Sequence, residues 1–110
     1  MTELRTKPRT PKHEPNKTEA RYGQHLDTLY RAGKIKGFGF QRYTLRLADD
    51  TRYTPDYYVV TLDDVLCFHE VKGFMRDDAH VKLKVAAEMF AHPFRLVTWT
   101  KAGGWEIKEV

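Results

Sequence analysis

Only one cysteine, Cys67, occurs in the 110 residues. A single thiol cannot close an intramolecular disulfide, which fits a reducing compartment. In an apolar stretch it reads as a small buried hydrophobe. His13, His25, His69, His80 and His92 are scattered and show no zinc-ligand spacing. With no cysteine cluster beside them, a structural zinc site is not expected. No apolar run approaches the roughly 18 residues that cross a bilayer, and no signal-peptide core is seen. The expectation is a soluble, cytoplasmic protein with no membrane partner. There is no internal repeat. No dedicated recognition helix offers itself for base-specific readout of a duplex. Charge is not one-sided either: 19 Lys and Arg against 15 Asp and Glu leave a net +4. That excess suits an anionic partner without establishing one.

What is present is an ordinary globular composition, 41% apolar, in a length suited to one domain with a modest core. Residues Met1 to Pro15 stand apart. They carry Arg5, Lys7, Arg9 and Lys12 among Pro8, Pro11 and Pro15, with almost nothing apolar. The segment is predicted to be a disordered basic arm, either brushing phosphates or simply solvated. The folded domain is then 16–110.

Asn16 is a good N-cap for a helix reaching about Ala32, with Gly33 as its left-handed terminator. Its apolar stripe is Tyr22, Leu26, Leu29 and Tyr30. Glu19 points along that stripe, although Asn16-x-x-Glu19 also has the form of a capping box. Residues 35–40, with Gly37 and Gly39, read as an irregular approach to a strand. Tyr43, Leu45 and Leu47 alternate with polar residues as a half-buried strand. Ala48 to Thr51 form a turn, and Arg52 to Val60 return antiparallel. Pro55 cannot donate to a ladder, so that strand is irregular there. Val65 to Lys72 is a third strand.

A helix capped by Asp77 or Asp78 runs to about Ala91 on the stripe Ala79, Leu83, Ala86, Ala87 and Phe90. His80, Lys84 and Glu88 lie on its solvated side. Phe94 to Trp99 and Trp105 to Val110 are the last two strands. The order α-β-β-β-α-β-β makes a single-domain α/β protein with a mixed sheet flanked by helices. The helix crossover lets the third and fourth strands pair in parallel.

The stretch that carries chemistry is Pro55-Asp56 followed by Glu70-Val71-Lys72. Asp56 opens one strand and Glu70 and Lys72 end the next, across a tight Asp63-Asp64 connection. Side chains alternate faces, so Leu66, Phe68, Glu70 and Lys72 share one. An acid and a base thus finish an inward-looking apolar row, a costly place for charge unless it is paired or binds metal. His69 points to the opposite face, where a structural or solvent-facing role is expected.

This pattern, following a helix that bears Glu19, resembles the PD-(D/E)xK nuclease superfamily over roughly residues 16 to 100. The likeness is to small phage-encoded members, such as junction-resolving endonucleases and transposon end-cleaving endonucleases. It implies a restriction-endonuclease-like core and a phage or bacterial source. It implies that Glu19, Asp56, Glu70 and the Val71 carbonyl bind Mg²⁺, with Mn²⁺ as substitute, and that Lys72 assists the attacking water. Gln41 and Lys82 resemble auxiliary DNA-contacting positions, and Lys84 adds a further base on the same helix. The residue types suit the chemistry. Hard oxygen ligands favour Mg²⁺. A bound metal acidifies its water and neutralises developing charge, and a neighbouring lysine can stabilise that charge.

The expected function is therefore metal-dependent endonucleolytic hydrolysis of DNA, selective for branched or junction structures, in phage recombination, repair or processing. Symmetric double cleavage would require a homodimer. Two alternatives compete: a DNA-binding module on a nuclease fold that has lost turnover, and a structural interaction protein binding neither metal nor DNA. A third set of roles is bland. Asp56 would be a turn residue, and Glu70 and Lys72 an exposed pair contributing about 0–1 kcal/mol.

Overall fold

The computed structural model describes residues 14–73 and 77–110. The basic arm therefore lies outside the described residues up to His13; Glu14 and Pro15 are exposed and belong to no helix or strand. The side chains of Asp77, Asp78 and Ala79 also lie outside them.

Helix α1 spans Lys17–Arg31 and begins at the N-cap Asn16. At its other end Gly33 takes φ 72°. The Gly33 N–H bonds the Tyr30 carbonyl and the Lys34 N–H bonds the Leu29 carbonyl. These two bonds satisfy carbonyls that the helix end leaves unpaired. Seven strands follow in chain order, with one helix among them: β1 Ile35–Phe40, β2 Leu45–Ala48, β3 Thr51–Tyr53, β4 Tyr57–Thr61, β5 Leu66–Lys72, α2 Asp77–Met89, β6 Phe94–Thr100 and β7 Gly104–Glu109.

Five strands form one mixed sheet in the order β1-β4-β5-β6-β7, and β2 pairs with β3 in a separate two-stranded sheet. The β4–β5 hairpin is antiparallel, and β5 and β6 pair in parallel across the α2 crossover. Both pairings match the sequence reading. Two others correct it. Residues 35–40 are a full edge strand, because Gly39 faces Tyr58 across the ladder. A Cβ on Gly39 would come within 2.4 Å of the Tyr58 ring, so the ring occupies the space the glycine leaves. The expected strand from Arg52 to Val60 is two strands in two different sheets. The chain changes sheet at Thr54-Pro55-Asp56, where Pro55 has no N–H to continue a ladder. The order is thus α-β-β-β-β-β-α-β-β.

The large sheet separates two apolar clusters. On one face Tyr22 and Leu26 of α1 pack on Tyr57, Val59, Val71 and Val97. On the other, Leu83, Ala86 and Phe90 of α2 pack with Phe68 and Phe94 of the sheet and Leu45 and Tyr53 of the small sheet. Alternation along β5 sorts its side chains accordingly, Phe68 to the α2 side and Val71 to the α1 side. No helix among the described residues is long and apolar enough to cross a membrane.

Candidate active site

Asp56 stands where the chain crosses between sheets, and its surroundings fix it from several sides. It is 7% exposed. Its Oδ2 accepts the Val71 N–H at 2.9 Å, and its carbonyl accepts the Gln41 N–H at 2.8 Å. Its own N–H donates to Glu70 Oε1 at 3.4 Å. The same Glu70 oxygen accepts the Tyr53 phenol at 2.6 Å. The turn residue of the bland reading is therefore a buried, multiply bonded carboxylate, and Glu70 is no exposed ion-pair member.

Glu19 joins this group from α1. The sequence left two roles for it as alternatives, and the structure shows the capping box. Its Oε1 accepts the Asn16 N–H at 2.9 Å, while Asn16 Oδ1 accepts the Glu19 N–H at 2.8 Å. The Glu19 carboxyl is also close enough to Asp56 to add to the rise of its pKa. Below it, Tyr57 donates its phenol proton to the Glu19 carbonyl at 2.8 Å. The buried stripe of α1 thus brings Glu19 to the end of the sheet that carries Asp56 and Glu70.

Electrostatics follow from this crowding. Burial, and then the charge of Glu70, raise the Asp56 pKa well above the carboxylate range, with the Val71 N–H opposing and Glu19 adding to the rise. Burial likewise raises Glu70, against the lowering effect of the Tyr53 and Asp56 hydrogen bonds. Like charges gathered in a buried site favour the protonated forms unless a cation joins them.

Lys72 lies two residues beyond Glu70, on the same strand face, and is exposed opposite Thr98 of β6. Val71 is buried; its N–H holds Asp56 and its side chain fills the α1-side core. Gln41 takes φ 48° at the end of β1, an uncommon conformation for a residue other than glycine, and its N–H secures Asp56. Lys84 is brought elsewhere. With His80, Glu88, Leu96 and Lys108 it lines a cavity of about 480 Å³ between α2 and the β6–β7 hairpin. Lys82 is half-buried on α2 and forms no ion pair with the three carboxylates among the described residues.

His69 lies on the face opposite Glu70, as expected, and is buried there rather than facing solvent. Its Nδ1 meets the Tyr22 hydroxyl at 2.6 Å, and burial lowers its pKa to about 4. Its Nε2 is buried without a partner among the described residues. Cys67 is buried too.

Two residues at the site were not singled out from the sequence, Tyr53 and Tyr57. A buried tyrosine needs a partner for its hydroxyl. Three residues before Asp56, Tyr53 was a candidate on that ground alone.

Asp56, Glu70 and Glu19 offer the hard oxygen donors a small divalent cation prefers, and their mutual repulsion is the kind of excess negative charge such an ion relieves. Among the described residues, however, no three His, Cys, Asp or Glu side chains stand ready as a metal-binding group. The capping bond to Asn16 engages one Glu19 oxygen. Compared with protein-family models, curated proteins and solved structures, the chain found no match in any of the three.

Proposed function

We propose that this protein is a divalent-metal-dependent endodeoxyribonuclease built on a restriction-endonuclease-like core, acting on branched or otherwise structured DNA. The observation that carries the reading is the convergence of Asp56, Glu70 and Glu19, from three separate elements, beside the strand end bearing Lys72. Asp56 and Glu70 would hold the metal, with Glu19 and the Val71 carbonyl as further ligands. When bound, Mg²⁺ acidifies a water and neutralises charge on the phosphate. The chain's own groups do the rest. Tyr53 hydrogen-bonds and so orients Glu70, and the Val71 N–H fixes the Asp56 carboxyl and opposes the burial-driven rise of its pKa. Lys72, on the Glu70 face, orients the attacking water and stabilises charge on the phosphate oxygens. Gln41 and Lys82 are proposed to touch the DNA backbone, and Lys84 to contact it at more distance from the carboxylates.

A second reading, a DNA-binding module without turnover, is favoured by one observation: Glu19 caps its own helix, and no ready three-ligand group is formed among the described residues. Cleavage of a panel of linear duplex, nicked duplex, single strand, flap and four-way junction separates the two. Cutting of the branched members with Mg²⁺ and none with EDTA supports the nuclease. Binding with no cutting under any divalent cation supports the module.

A further inference from the structure

On the α1 face of the sheet, at the end where β5 and β6 both finish, Trp99 is 42% exposed. Such a ring is not an isolated surface residue. The Arg21 guanidinium lies over it, 4.6 Å from the ring centroid. Trp105 meets it edge-on with centroids 5.0 Å apart. Trp105 in turn meets Tyr22, one of the most buried side chains in the protein, at 4.9 Å. The outer ring is thereby tied to the core through two aromatic contacts, and a rigid aromatic surface loses little conformational freedom on binding. No carboxylate among the described residues pairs with the exposed Arg21. Lys101, exposed in the β6–β7 turn, adds a second cation at the same end.

We propose that Arg21 and Trp99 form a stacking platform for an unpaired base of single-stranded DNA. Planar guanidinium and indole surfaces both accept a base face. A guanidinium held over a ring face can still turn edge donors to phosphate oxygens. An apolar protein partner would instead have to desolvate Arg21 with no acid to receive it, which disfavours that occupant.

Position links the platform to the carboxylates. Glu19 and Arg21 are two residues apart on α1, and they flank the helix on opposite sides. Glu19 meets the β4 side through Tyr57, and Arg21 meets β6 through Trp99. Two strand spacings separate β4 from β6, on the order of 10 Å. One or two nucleotides would cover that gap. The proposal rests on the nuclease reading for the reaction and names its substrate class: DNA with a single-stranded segment beside the cut, such as a flap or an open junction.

The test is made in EDTA, so that binding is scored without turnover. Trp99 and Trp105 are the only two tryptophans, so Trp105→Phe in the full chain leaves Trp99 as the sole tryptophan, read by excitation selective for indole over tyrosine. Titration with a short oligothymidylate should quench it saturably. By fluorescence anisotropy of a labelled oligonucleotide, Trp99→Leu and Arg21→Leu should each weaken single-strand binding at least fivefold, the scale of one lost stack. Each should change affinity for a paired duplex of equal length less than twofold. Far-UV circular dichroism confirms the fold. Arg21→Leu, at an exposed helical position, keeps the test valid if Trp99→Leu unfolds. Absence of quenching, parental single-strand affinity in Arg21→Leu, or an equal loss on duplex would overturn the platform. Selective single-strand binding without cleavage in Mg²⁺ would leave the platform standing and remove the nuclease reading alone.

Discussion

Tyr53 and Glu70 are joined by a 2.6 Å hydrogen bond from phenol to carboxylate, across the boundary between the two sheets. Tyr53 itself is 5% exposed, and its ring belongs to the α2-side core. The bond ties a core position to a site position. Tyr53→Phe keeps the ring and removes the bond. We expect a stability loss of about 1.5–3 kcal/mol, the range for hydrogen bonds to charged groups. Loss of a group that orients a ligand also weakens metal sites by about 10- to 100-fold. The checks are chemical denaturation and a Mg²⁺ titration of cleavage. Parental values in both would show that Tyr53 does not position Glu70.

A pH dependence follows from the same cluster. Asp56 and Glu70 both have pKa values raised above their unfolded values. The folded state then binds more protons than the unfolded one between the ordinary carboxylate range and the raised values. Stability falls with rising pH wherever that holds. In EDTA, denaturation midpoints should therefore decline as pH rises above the ordinary carboxylate range. Asp56→Asn should flatten the decline. A parental protein whose stability rises over that interval, with Asp56→Asn unchanged from it, would contradict the assigned burial.

The elements nearest the site show how much could be read in advance. The β4–β5 hairpin, the facing of Glu70 with Phe68 and the capping of α1 by Asn16 all follow from local pattern, namely alternation, turn residues and cap chemistry. The strand nature of residues 35–40 did not. Two glycines argue against a strand on their own, and only the Tyr58 ring across the ladder supplies what Gly39 lacks. Nor could the sequence divide residues 51–61 between two sheets. Pro55 signals an interruption, but which partner each half finds depends on β1 and β2 together. Glu19 was legible in both of its roles. That the capping carboxyl also stands beside Asp56 is a matter of how α1 lies on the sheet.

Gly23 offers a separate check on that placement. A Cβ there would stand 2.4 Å from the Tyr57 hydroxyl, which is bonded to the Glu19 carbonyl. Gly23→Ala must displace a phenol that is 3% exposed as a residue. We expect a loss of about 1–3 kcal/mol from overpacking. The same change in a Tyr57→Phe background should cost less, because the clashing oxygen is gone. Equal costs in a double-mutant cycle by thermal denaturation would show that α1 sits differently on β4.

Glu19→Gln keeps an oxygen for the Asn16 N–H and removes the charge beside Asp56. Without metal, stability should hold or rise as carboxylate crowding is relieved. Cleavage should fall by orders of magnitude, with more Mg²⁺ needed for half-maximal rate. Glu19→Ala should in addition lose about 1 kcal/mol or less of capping stability. Near-parental cleavage by Glu19→Gln across a Mg²⁺ titration would leave Glu19 as a cap alone.

The most direct measurement is single-turnover cleavage of a branched DNA by the parental protein and by Lys72→Ala, in Mg²⁺. Lys72 is exposed and packs no core, so its loss leaves the fold in place. The account predicts that the parental protein cuts in Mg²⁺ and is silent in EDTA. It predicts that Lys72→Ala binds the same DNA within a few-fold yet does not cut. Cleavage by Lys72→Ala at the parental rate, or parental turnover undiminished by EDTA, would contradict it.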